Sequence, residues 1–123
     1  MNISKLCWLS LLLLGVQSAW AATGAVSEMA GMLMHLEHYP SAAEKSRLHD
    51  IAASKNSSAQ EKVVANALAN LKHSAADDDK AKLKQVKDDA TASAEVRELA
   101  GIILNLNHMP SAADKSALHK LMK

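Results

Sequence analysis

Phenylalanine is absent from this 123-residue chain, and aromatic residues make up only 2% of it. There is one cysteine, and there are two prolines and four glycines. One cysteine excludes an intrachain disulfide framework and any cluster held by several thiolates. Charge of one sign is also missing: 14 Lys and Arg face 13 Asp and Glu, for a formal net charge of +1. A nucleic-acid-binding module would carry a basic excess. Glycine-rich phosphate loops, a nucleophile elbow and a haem attachment motif are absent as well.

What is present begins with a targeting segment. Lys5 and the amino terminus are cationic, residues 6–16 are apolar, and small residues at Ala19 and Ala21 form an A-x-A pattern. This predicts a signal peptide over residues 1–21, cleaved after Ala21. The apolar run is too short to span a bilayer, which takes roughly 20 residues. Cys7 lies inside that run and not at the cleavage site, so a lipid anchor is not expected. Removing residues 1–21 from the 123 leaves 102, and Trp8, Trp20 and Cys7 leave with them. The remaining domain, 22–123, must build its core from Leu, Ile, Val, Met and Ala. A periplasmic or secreted location in a bacterial envelope follows, with no integral membrane span after cleavage.

An internal repeat organises the rest. The stretch beginning Glu28-Met29-Ala30-Gly31 recurs at Glu98-Leu99-Ala100-Gly101, and both run on to Pro-Ser-Ala-Ala at Pro40 and Pro110. A more diverged copy lies halfway, from Val63 to His73. The register is 35 residues without gaps: Ala30, Ala65, Ala100; Leu36, Leu71, Leu106; His38, His73, His108; Lys45, Lys80, Lys115; Leu48, Leu83, Leu118. Three units are expected, at about 19–53, 54–88 and 89–123, and such a period marks a stacked supersecondary element.

Each unit reads as a helical hairpin. Helix formers dominate and no segment alternates like a half-buried strand. The first helix of each unit carries a broad apolar arc, represented by Leu33, Leu36, Leu68, Leu71, Ile103 and Leu106, all expected to be buried. The second has a narrower stripe: Leu48 and Ile51, Leu83 and Val86, Leu118 and Leu121. Tyr39-Pro40 and Met109-Pro110 are stop signals for the first helices. Ser41 with Glu44, and Ser111 with Asp114, are capping boxes for the second helices, and Ser74-Ala-Ala-Asp77 is the counterpart in unit two. Thr23, Ser58 and Ser93 are expected caps for the first helices. The fold class is therefore all-α: three tandem hairpins, six helices, stacked as a short right-handed-type solenoid or as a compact bundle. Units one and three, which share Pro-Ser-Ala-Ala, should be the most alike.

The histidines are the candidate chemistry. His38, His73 and His108 are placed at the ends of the first helices, where the preferred reading is capping of unpaired carbonyls. The alternative is a metal site, since imidazole suits Zn, Cu and Ni. His35 and His38 would stand one turn apart on a single helix face. No cofactor is required by the sequence, and Zn or Cu is the metal such residues would take. His49 and His119 are read as solvated, and Gly31 and Gly101 as points of close helix approach. The leading functional expectation is a non-catalytic interaction module with a protein partner in the envelope and no nucleic acid. A His-based transition-metal binding protein is the alternative, and an acid-responsive stress protein is a weaker one.

Overall fold

The computed structural model describes residues 23–122; the expected signal peptide, residues 1–21, lies outside them. Six α-helices follow one another: α1 Gly24–Met34, α2 Ala42–Ala53, α3 Ala59–Ala69, α4 Asp77–Asp88, α5 Ala94–Leu104 and α6 Ala112–Leu121. Successive first helices start 35 residues apart, and so do successive second helices. There are no strands among the described residues, only two isolated bridges beside His73 and His108.

Local sequence explains most of the helix starts. The Thr23 hydroxyl accepts from the Val26 N–H and caps α1. Ser93 does the same for α5 through Val96. Ser41 with Glu44, Ser58 with Glu61, and Ser111 with Asp114 form complete capping boxes for α2, α3 and α6. Helix α4 is the exception. Its cap position falls on Ala76, which has no side-chain bond to offer, so Ser74 does not serve as the counterpart that its sequence context suggests. Acidic residues fill the first turn instead, at Asp77, Asp78 and Asp79, where the helix dipole favours negative charge.

The six helices close into a compact bundle, the second of the two packings that the repeat allows. The three first helices, α1, α3 and α5, all touch one another at the centre. Each second helix packs most heavily on the first helix of the next hairpin: α2 on α3, α4 on α5, and α6 back on α1. The last hairpin thus meets the first, and the Ser27 hydroxyl donates to the Met122 carbonyl at 3.1 Å across that junction. Each second helix packs less on the first helix of its own hairpin than on the first helix of the next. The result is a cyclic arrangement with approximate threefold symmetry.

Symmetry is visible in the core. Met29, Val64 and Leu99 are fully buried, as are Ala30, Ala65 and Ala100, and Leu33, Leu68 and Ile103. Leu36, Leu71 and Leu106 form a further buried set, and Leu48, Leu83 and Leu118 seal the outer helices onto the centre. The six expected inner-helix residues are all buried. One position departs from the pattern. Glu61 is buried where the other units have Val26 and Val96. Its carboxylate accepts from the Ser58 N–H at 2.7 Å and from the Thr23 hydroxyl, so the buried charge is hydrogen-bonded on both oxygens.

The two interior glycines are not points of forced approach. A Cβ at Gly31 or Gly101 would make only ordinary contact, 3.6 Å from the Met122 methyl and 3.9 Å from the Lys87 side chain.

Two stability measurements follow, each read by chemical denaturation. Replacing Leu33 or Leu68 by Ala should cost about 2–5 kcal/mol, because each leaves a cavity in a centre shared by three helices. Ala76→Ser should instead stabilise by about 1 kcal/mol, by supplying the one cap the repeat lacks.

Candidate functional site

The loops that join first to second helices decide the site. Helices α1, α3 and α5 end at Met34, Ala69 and Leu104, and their C-caps are His35, Asn70 and Asn105. These ends fall earlier than the Tyr39-Pro40 and Met109-Pro110 signals suggest. Each chain then turns a leucine inward, at Leu36, Leu71 and Leu106. Three residues beyond the cap come His38, His73 and His108, in the loop and exposed. They therefore do not cap the helices. Nor do His35 and His38 share a helix face, because the helix has already ended before His35.

Closure of the bundle brings the three register histidines together. The His38–His73, His73–His108 and His38–His108 ring centroids are 5.0, 4.9 and 5.8 Å apart. The rings meet edge to face, at interplanar angles of 62°, 73° and 87°. One nitrogen from each ring lies within 4.8 Å of the other two. The closest pair, His73 Nδ1 and His108 Nδ1, is 3.0 Å apart, a hydrogen bond in which one imidazole donates and the other accepts.

Backbone hydrogen bonds hold the three loops in place. The His73 N–H donates to the His38 carbonyl at 2.8 Å, and the His108 N–H donates to the His73 carbonyl at 2.7 Å. Each link crosses from one unit to the next. The same two residues have positive φ, 64° at His73 and 69° at His108. Ser74 N–H donates back to Lys72 at 2.6 Å, and Met109 N–H to Asn107 at 2.8 Å. Three residues closed by such a bond about a positive φ make a γ-turn of the rare, strained kind. His38 does not share it, and its N–H makes no matching bond to His108 among the described residues. At these turns unit two matches unit three, whereas at the second-helix cap unit one matches unit three. Units one and three share the capping box, the buried proline and the buried valine at Val26 and Val96, whereas units two and three share the positive-φ turn.

The three imidazoles fit a metal ion by donor type and by spacing. Zn–N bonds are about 2.0–2.1 Å, so two nitrogens on a tetrahedron stand about 3.3 Å apart. The His73–His108 nitrogens are already near that value, and rotations of exposed side chains can bring in the third. Three neutral donors leave at least one coordination position facing solvent. His35 lies outside the cluster, although it shares a cavity of about 330 Å³ with His38, Glu37 and Glu44. A second cavity, of about 280 Å³, is lined by Tyr39, Lys45, Lys72 and His73. His49 and His119 are exposed on the outer helices, away from the cluster. The register of the histidines is legible in the sequence, but their meeting depends on ring closure, which the repeat alone does not dictate. No family model, curated protein or solved structure matches the chain.

Backbone strain can be separated from the side-chain role by glycine substitution. Glycine adopts positive φ freely, so His108→Gly should match or exceed the parent in metal-free stability. Relief of about 1 kcal/mol or more of strain offsets the entropic cost of glycine, about 0.5–1 kcal/mol. His38→Gly gains no such relief and should be less stable by about 0.5–1 kcal/mol. Urea unfolding of the two variants in the presence of a chelator measures the contrast.

Proposed function

We propose that this is an exported, non-catalytic protein that binds a transition metal, Zn or Cu, through His38, His73 and His108. The observation that carries this reading is the convergence of three imidazoles, spaced 35 residues apart in sequence, with one nitrogen of each within 4.8 Å of the others. Two of the three sit on strained turns, and strain of that kind concentrates where a side chain must be aimed. The donor set is all imidazole, which suits Zn and Cu and not Mg or Ca. The core is complete without the metal, since the buried leucines and valines come from all six helices. The site lies outside that core, so binding and release need no unfolding. This favours a carrier or sequestering role over a structural one.

The interaction-module reading keeps one supporting observation. Tyr39 and Met109, each next to a cluster histidine, are 61% and 55% exposed. A partner that met this face would meet the metal site with it. The signal-like segment at residues 1–21 supports a periplasmic or secreted location for either role.

Calorimetric titration of the chelator-treated protein with Zn²⁺ tests the proposal. One ion per chain should bind. His38→Gln, His73→Gln and His108→Gln should each weaken binding by about tenfold or more, since even outer-shell partners of metal ligands contribute that much. His35→Gln and His49→Gln should leave it unchanged. Equal binding by the cluster variants and the parent would overturn the reading.

A further inference from the structure

Approximate threefold symmetry relates the three imidazoles, but it does not extend to what stands beside them. Between units one and two, the cavity of about 280 Å³ holds Tyr39 and Lys45 from unit one and Lys72 and His73 from unit two. The repeat replaces this set between units two and three by Ser74, Lys80, Asn107 and His108. Between units three and one it becomes Met109, Lys115, Glu37 and His38. Only the first combination pairs two lysines with a cluster histidine, and no acidic residue lines that cavity. The cavity on the His38 side carries Glu37 and Glu44, which would repel an anion. Lys45 is also positioned: its Nζ lies over the Tyr39 ring, 5.8 Å from the centroid, within the range of a cation–π contact.

We infer that the open coordination position is filled by a small oxyanion, a carboxylate or a phosphate, seated between Lys45 and Lys72 in the cavity beside His73. This rests on the metal reading above. Three neutral imidazoles leave the charge of a divalent ion uncompensated, and an anion is the ligand that such a centre and two ammonium groups select together. The cavity is smaller than the range of about 300–1,000 Å³ typical of drug-sized ligands, so a compact anion suits it.

The experiment uses protein loaded with Co²⁺, whose visible absorption reports its ligands. Inorganic phosphate and acetate are titrated in separate arms. A saturable spectral change with either anion is expected, and the stronger arm distinguishes phosphate from carboxylate. In Lys45→Met/Lys72→Met the anion affinity should fall by about tenfold or more, while Co²⁺ affinity measured without anion stays the same. Lys80→Met/Lys115→Met removes the same charge from the other two grooves and should leave anion affinity at the parent value. Co²⁺ uptake without any response to either anion would overturn the oxyanion site and leave the metal site standing. An equal loss in both double variants would also overturn it, because net charge and not the cavity would then be responsible. Failure of Co²⁺ to bind at all would overturn both proposals.

Discussion

Everything in this structure depends on the apolar arc of the first helices being too wide for a single neighbour to cover. Met29, Ala30 and Leu33 on α1, with their register mates on α3 and α5, are buried at the shared centre. A first helix in an open row would leave one flank of this arc in water at each end of the array. Closing the row removes both ends at once. Helix α6 covers the flank of α1 as α2 covers that of α3 and α4 that of α5. Burial of apolar area is the largest favourable contribution to folding, and in a domain of about 100 residues without disulfides or large aromatics there is little else to replace it.

Closure has a geometric consequence at one end of the bundle. Packed helix axes lie about 8–10 Å apart, so equivalent loop residues in an open row would stand in a line, with the outer two about twice that distance from one another. Around a closed centre all three become mutual neighbours. The loops are then drawn tighter by the two links from His73 to His38 and from His108 to His73. Both donors belong to residues with positive φ, and His38, which donates no such bond, has none. The strained turns are thus tied to the inter-unit hydrogen bonds. The same bonds that aim the imidazoles inward hold the backbone in a conformation it would otherwise avoid.

Much of this was legible from residues alone, and the limits have physical causes. The 35-residue register, the serine caps and the buried leucines follow from helix propensity, capping chemistry and amphipathic spacing, all of which are local. The first helices end earlier than the sequence suggests, because Leu36, Leu71 and Leu106 continue the apolar period past the last helical turn. Each is buried by a loop that folds back, and periodicity does not distinguish that from one more turn of helix. Reading the histidines as caps depends on the later helix ends. The start of α4 departs from its sequence signal for a different reason. Ser74 looks like a cap by its neighbours, but the register puts Ala76 at the cap and Ala75 in the buried place held by Pro40 and Pro110. In this case the packing constraint outweighed the local preference.

The division between core and loops bears on what the metal can do to the molecule. A site that organises a fold, as in small zinc domains, makes binding and folding one event. Here most of the buried residues belong to the helices, and the cluster histidines are exposed in loops that the helices already hold in place. Metal bound at the proposed site would add stability only through mass action on a preformed native state, by an amount that grows with the logarithm of free metal over the dissociation constant. The ligands do not have to be assembled from a disordered chain, so the ordering cost of binding is confined to the exposed side chains. Because the core does not depend on the cluster, occupancy of the proposed site would change with free metal without unfolding the chain. Three hairpins are also the smallest number whose closure supplies a three-imidazole face. Two would give a bidentate pair, and an open row of any length would give only isolated histidines. The repeat number therefore sets how many imidazoles converge, and the ring closure demanded by the apolar arc is what turns a repeated residue into a cluster.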